Sequence, residues 1–385
     1  MSRHPDVVVI GAGIVGAAVA CFAARAGLRV TVVDRGAIAS GTSSRCEGNL
    51  LLSDKEVGPE LELARYSQRV WREDLAEHAE KWEFQAKGGL VVAASDAGAE
   101  TLRALAVHQR SLGIEVEDVA DAAGLRTYEP ALSPALVTGA FYPQDAQVQP
   151  VLAVHHLLAL ARAAGAVVRP HHPVDEILTR GGRAVGIRTR GEVVSAGAVI
   201  NCAGPWSGEV AALAGVHLPV LPRRGFVLVT EPVPVTVHHK VYAAEYVGDV
   251  ASGDAGLQVS PVVEGTPSGT ILIGASRERV GFDEQWALEP VTRLAAAAMA
   301  MFPVLNGVNV LRTYSGFRPY CPDHLPAIGE DDRMPGLWYA TGHEGAGVGL
   351  SVGTAKLLVQ ALEGRAPDID LAPFRPARLD LVAAA

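Results

Sequence analysis

The chain has 385 residues, of which 49% are AVILMFWYC and 19% charged, with a formal net charge of −9. That composition excludes a disordered or fibrous chain, and the acidic balance leaves no basic field to hold a nucleic-acid backbone or an anionic membrane. Its length predicts two to three domains of about 150 residues and a core that needs no disulfide or metal staple.

With 5 Trp, 8 Tyr and 8 Phe, long stacking platforms for bases or sugars are also excluded, leaving a globular protein that acts on something small. Cys21, Cys46, Cys202 and Cys321 lie far apart, with no C-x-x-C pair and no Cys–His ligand spacing. No metal site is expected, and scattered thiols fit a reducing cytoplasm.

Residues 7–24 contain no charge, a run long enough to suggest a signal peptide or membrane span. Three glycines within six residues break it, however, and it leads into a second β-branched run that ends in an acid. A buried strand (7–10), a turn (11–16), an Ala-rich helix (14–26) stopped by Gly27 and a second strand (29–33) produce the same pattern. No integral membrane segment is therefore expected.

A Ser/Thr/Gly-rich loop follows at 36–49, then a long amphipathic helix at 60–81, a strand at 88–94 and a helix at 101–112. Residues 151–164 read as a helix closed by Gly165. Short strands come next at 167–169, 176–179, 184–189, 193–195 and 198–202. From 224 to 311 strand-like runs dominate (226–230, 257–259, 270–275), interrupted by one Ala-rich helix at 291–302, so this section reads as an antiparallel sheet carrying a helix. Gly-rich turns return from 313, a helix closes the chain at 348–363, and the Pro- and Ala-rich tail after Arg365 is expected to be poorly ordered. No internal repeat is present.

Gly11-Ala12-Gly13-Ile14-Val15-Gly16 is a G-x-G-x-x-G between strand and helix. Its glycines serve a tight turn, close approach to a pyrophosphate and close helix–strand packing, while the helix start offers free N–H groups. Asp34 ends the second strand, where a carboxylate accepts bonds from an adenosine ribose and disfavours a 2′-phosphate. FAD and NAD remain equal at this level.

Three later segments bear on that choice. In residues 41–49, hydroxyls and exposed N–H groups are suited to a diphosphate and a flavin. Asn201-Cys202-Ala203-Gly204-Pro205-Trp206-Ser207 follows a buried strand with a small-small turn that lets backbone approach a cofactor. Finally, residues 316–329 are followed by Gly342-His343-Glu344-Gly345-Ala346-Gly347-Val348-Gly349, a glycine-rich helix start suited to the negative charge that reduction places on a flavin.

In these four ordered segments the chain resembles the FAD-dependent amino-acid oxidoreductases related to D-amino-acid oxidase, glycine oxidase and sarcosine oxidase. The likeness runs over residues 7–362. Residues 46–51 and 274–283 look most like the β subunits of bacterial D-hydroxyproline dehydrogenases and opine oxidases.

The resemblance implies Gly11, Gly13 and Gly16 at the diphosphate and Asp34 at the ribose. Arg35, Thr42, Ser43, Ser44, Gly48 and Asn49 join the cofactor-binding set, with Val174 toward the adenine. Ala203, Gly204 and Trp206 flank the cofactor, and Gly345, Ala346, Gly347, Val348 and Gly349 face the flavin ring.

Arg318 holds the substrate carboxylate in this reading, because a planar guanidinium binds a carboxylate bidentately and so orients the substrate; an ion pair with Asp323 is the alternative. His343 and Glu344 are candidates to polarise the flavin or orient the amine. Tyr242 and Tyr246 are candidate phenol donors to the substrate, set against ordinary half-buried packing. Relatives with covalent flavin attach it through a Cys where this chain has Ser315-Gly316-Phe317, so noncovalent FAD is expected. The segment 257–260 lacks the tyrosine that glycine-oxidase-like members use, which weighs against glycine as substrate.

The expected fold is α/β with an α+β substrate domain. A Rossmann-like FAD-binding domain (1–80, 142–222 and 313–365) is interleaved with an antiparallel-sheet substrate domain (81–141 and 223–312), and 366–385 form a tail. The expected function is FAD-dependent oxidation of the C–N bond of a small, secondary or D-amino acid by hydride transfer to flavin N5. D-hydroxyproline, proline, sarcosine and an opine all fit. Two rivals remain: a flavoprotein subunit that scaffolds or relays electrons to partner subunits in a heteromeric complex, and an NAD-dependent dehydrogenase.

Overall fold

A computed structural model describes residues 4–382. Val7–Ile10 and Val30–Val33 are buried at every position, as strands covered on both faces must be. They are adjacent inner strands of a six-stranded sheet ordered Ala327–Glu330, Leu337–Thr341, Ala198–Asn201, Val7–Ile10, Val30–Val33, Val167–Arg169. Its pairings are parallel except at the first edge, where Ala327–Glu330 runs antiparallel. The Ala-rich helix Ile14–Arg25 packs against both Pro150–Ala163 and Gly347–Leu362. The small side chains along it permit that two-sided approach.

The second sheet has eight strands, ordered Val310–Tyr320, Leu221–Thr230, Ile271–Arg277, Gln258–Gly265, Lys240–Ala243, Gly89–Ala93, Thr138–Tyr142, Glu117–Val119. All its pairings are antiparallel apart from Lys240–Ala243 against Gly89–Ala93. The expected helix of this region is Leu288–Met301, which buries Leu294, Ala298 and Met301 with Phe226, Leu228 and Ile273. Val310–Tyr320 belongs to this sheet, so the sequence boundary at 312 falls inside a strand.

Two expectations are corrected. The helix expected over 60–81 is continuous only from Pro59 to Arg69, followed by a wide turn at Val70–Asp74 and a tight one at Ala76–Trp82. Trp71 and Trp82 are both fully buried with ring centroids 5.3 Å apart. An unbroken helix would separate them by about 16 Å at 1.5 Å per residue, so that burial breaks it. The tail is also packed: Phe374 and Leu379 are fully buried, and Arg375 and Arg378 pair with Asp332 and Asp323.

Among the described residues one helical stretch, Glu344–Leu362, is long and apolar enough to cross a membrane, and most of it is buried in the fold.

Candidate active site

The opening turn is built for close backbone approach. Gly11 has φ +111°, and a Cβ there would sit 2.4 Å from the Cys202 carbonyl oxygen. A Cβ on Gly16 would lie 2.0 Å from the Gly11 oxygen, so only glycine lets this helix start fold over the turn. Gly13 precedes the helix and gives it no side-chain cap. Ser43 Oγ instead accepts from Ile14 N at 2.9 Å.

The neighbouring hydroxyls are bonded elsewhere: Thr42 Oγ1 donates to the Phe317 carbonyl at 2.6 Å and Ser44 Oγ to that of Gly41 at 3.2 Å. Asp34 lies over the turn, its two oxygens accepting from Ala12 N and Gly36 N, each at 2.7 Å. The segment before Val174 is tied to the same place, since His172 N donates to the Asp34 carbonyl at 2.6 Å. Arg35 lies 4.0 Å over the Trp206 ring, which stacks on Phe282 at 5.3 Å. Trp206 ends a short turn begun by Ala203 and Gly204.

The closing segment comes to the same region. Helix Gly347–Leu362, with Val348 and Gly349 in its first turn, lies against strand Asn49–Leu50 and has no side-chain cap at Ala346. The Gly48 carbonyl accepts from Val148 N at 2.9 Å, and Asn49 Oδ1 is buried without a hydrogen-bond partner among the described residues. A glycine cradle that side chains would fill, a last helix whose start has no side-chain cap and an orphaned amide oxygen fit a dinucleotide carrying a ring with hydrogen-bonding edges. These features therefore suit FAD.

Beside Gly345 and Ala346 lies a cavity of about 170 Å³, and Arg223, Arg277 and Arg318 contribute to its wall. Arg223 and Arg318 are direct cross-strand partners on neighbouring strands of the large sheet. Arg318 Nη1 donates to the Ser276 carbonyl at 2.8 Å, and among the described residues no carboxylate lies within 4 Å of it. Asp323, the alternative partner from sequence, is taken by Arg378 at 2.7 Å. Burial, then the neighbouring Arg277, lowers the pKa of Arg223, whose Nη1 lies 3.5 Å from Glu344 Oε2. His324 Nδ1 stands 3.0 Å from Glu344 Oε1, and that carboxylate raises the histidine's pKa.

Tyr246 also lines the cavity, with Arg277 4.7 Å over its ring. Tyr242 and His343 do not line it. Tyr242 is fully buried and donates to Ser53 Oγ, which in turn donates to Asp145. His343 is buried with Nε2 3.0 Å from Thr354 Oγ1, and burial pushes its pKa down to about 3.

Sequence reasoning missed Arg223, Arg277 and His324. Arg223 precedes the expected strand at 226, and only the pairing of Leu221–Thr230 with Val310–Tyr320 reveals it as a neighbour of Arg318.

A family model described as DAO, FAD dependent oxidoreductase, matches residues 6–361. The chain is 28% identical to hydrogen cyanide synthase subunit HcnC of Pseudomonas aeruginosa, over 98% of this chain and 97% of that one. It is also 28% identical to glycine oxidase of Geobacillus kaustophilus, over 97% of each. The crystal structure of the Geobacillus glycine oxidase superposes with a TM-score of 0.88 at 26% identity, covering 98% of this chain and 99% of that one. L-proline dehydrogenase from P. horikoshii shares the fold, with a TM-score of 0.89 at 21% identity, covering 99% of each.

Proposed function

Because the chain belongs to the DAO family of FAD dependent oxidoreductases, we propose that its cavity oxidises the C–N bond of a small secondary or D-amino acid whose carboxylate is held by Arg318. The enzyme class follows from the family: an FAD-dependent oxidoreductase of CH–NH donors. When bound, FAD supplies the two-electron acceptor for the hydride that leaves the substrate α-carbon as the amine becomes an iminium.

The chain's own part is binding and orientation. Gly11, Gly13 and Gly16 with the start of Ile14–Arg25 would hold the diphosphate, and Asp34 the ribose. Gly345 to Gly349 would bring the start of the last helix to the ring. A bidentate hold by Arg318 fixes the substrate about its carboxylate and presents one face of the α-carbon.

The observation that carries this reading is Arg318 itself: it lines the cavity beside Gly345 while Asp323 is engaged by Arg378. Arg318→Ala should keep FAD and raise KM for the amino acid about 10- to 150-fold, from roughly 1.5–3 kcal/mol for a hydrogen bond to a charged group. Steady-state kinetics with substrates chosen by anaerobic bleaching of the flavin makes the measurement, and unchanged kinetics would remove Arg318 from the site.

Noncovalent FAD and a reducing compartment belong to the same reading. Ser315-Gly316-Phe317 stands where relatives with covalent flavin carry the attaching Cys, and the nearby Cys321 is fully buried. Heat-denatured protein should therefore release its flavin into the supernatant.

A second reading, electron relay within a heteromeric complex, is favoured by the likeness to a protein named as a synthase subunit. Substrate-reduced enzyme that stays bleached in air would support it; rapid reoxidation by oxygen would not.

A further inference from the structure

The geometry points to the His324–Glu344 pair as the proton acceptor that converts the substrate's ammonium group to the neutral amine before oxidation. This rests on the reading that Arg318 holds an amino acid in the cavity, and it adds who prepares the nitrogen. An amino acid bound through its carboxylate reaches the cavity as a zwitterion, and its cationic nitrogen has no lone pair with which to expel a hydride. One proton must leave first.

His324 and Glu344 both line the cavity with Arg318. They come from separate segments and meet at 3.0 Å, Nδ1 to Oε1, yet neither atom has a hydrogen-bond partner of good geometry among the described residues. The pair therefore keeps unspent accepting capacity at the wall of the cavity. Both residues also hold left-handed backbone, φ +59° at His324 and +47° at Glu344. Such conformations are costly for residues other than glycine and collect at sites whose geometry matters.

The surroundings suit a base that takes one proton and passes it on. Glu344 raises the proton affinity of His324, Arg223 opposes it, and Asp323 adds to it while itself paired with Arg378. Glu60, in the first turn of helix Pro59–Arg69, faces the same pair, and the Tyr320 ring stands edge-on to the imidazole at 5.4 Å.

In the step proposed, neutral His324 takes the ammonium proton and becomes an imidazolium beside the Glu344 carboxylate. The nitrogen keeps the electron pair of the broken N–H bond. That lone pair then expels the α-hydrogen as hydride to FAD, leaving an iminium, and the imidazolium returns its proton to water.

The test is the pH profile of anaerobic flavin reduction, read as limiting rate over substrate dissociation constant. In the native enzyme the acid limb should fall well below the pKa of the substrate amine in water. In His324→Gln and Glu344→Gln it should move up toward that amine pKa, so that reduction at neutral pH drops about tenfold for each unit of displacement and recovers at alkaline pH.

A native limb that coincides with the amine's own pKa overturns the proposal without recourse to any variant. So does a loss in the variants that is equal at every pH. Reduction by no amino acid at any pH would instead take down the reading of the cavity on which the pair depends.

Discussion

His343 is 3% exposed, and burial holds its pKa down near 3, so the folded chain carries it neutral at any ordinary pH. Its folded pKa lies below the unfolded value of 6.5, so the unfolded chain binds the proton first as pH falls. Stability is accordingly full above about pH 6.5 and is lost from there down toward pH 3, at about 1.4 kcal/mol per pH unit for this one group. His343→Gln should make the urea midpoint fall less steeply between pH 7 and pH 5 than in the native chain. Parallel slopes would show that the imidazole is not the group responsible. His324 has the opposite setting: Glu344 raises its pKa, so its contribution to stability is present below pH 6.5 and lost as pH rises through the folded value. Nothing in Gly342-His343-Glu344 or Asp323-His324-Leu325 tells these two histidines apart, because burial and a partner from another segment decide between them.

At the level of elements, legibility follows sequence distance. The first strand, glycine turn, helix and Asp34 were readable because their pattern is local and each member restrains the next. Gly16→Ala tests that unit. The added methyl meets the Gly11 carbonyl at 2.0 Å, so helix Ile14–Arg25 must shift away from the turn. The purified variant should be folded by circular dichroism but largely colourless, with FAD affinity reduced at least tenfold; a variant as yellow as the native protein would show that the turn does not hold the cofactor. The arginine wall was not readable in the same way, because Arg223 and Arg318 become neighbours only when two distant strands pair. The expected helix at 60–81 erred for a related reason: its polar–apolar pattern is helical throughout, and the contact between Trp71 and Trp82 overrides it.

Over the whole molecule, the last residues of the chain set the charge at the cavity. Arg378 donates from Nε to Asp323 Oδ2 at 2.7 Å, from Nη2 to Oδ1 at 3.2 Å, and from Nη2 to the Leu325 carbonyl at 2.6 Å. Asp323 and Leu325 both line the cavity. A tail expected to be loose thus neutralises the carboxylate that stood as the alternative partner of Arg318. Buried Phe374 and Leu379 anchor the tail on either side of the clamp. Arg378→Gln would leave Asp323 negative and unpaired beside His324. The pair is about one-fifth exposed, so water screens part of the loss, and about 1–2 kcal/mol of stability should go, less than for a fully buried pair. The more telling change is in binding. An unpaired negative charge on the cavity wall shared with Arg318 repels the substrate carboxylate, so KM should rise several-fold while FAD stays bound. Adding Asp323→Asn removes that charge and should bring KM back toward the native value although the clamp is still missing. A double variant whose KM stays as high as that of the single one would mean that the tail acts by holding the shape of the 323–325 loop, not by its charge.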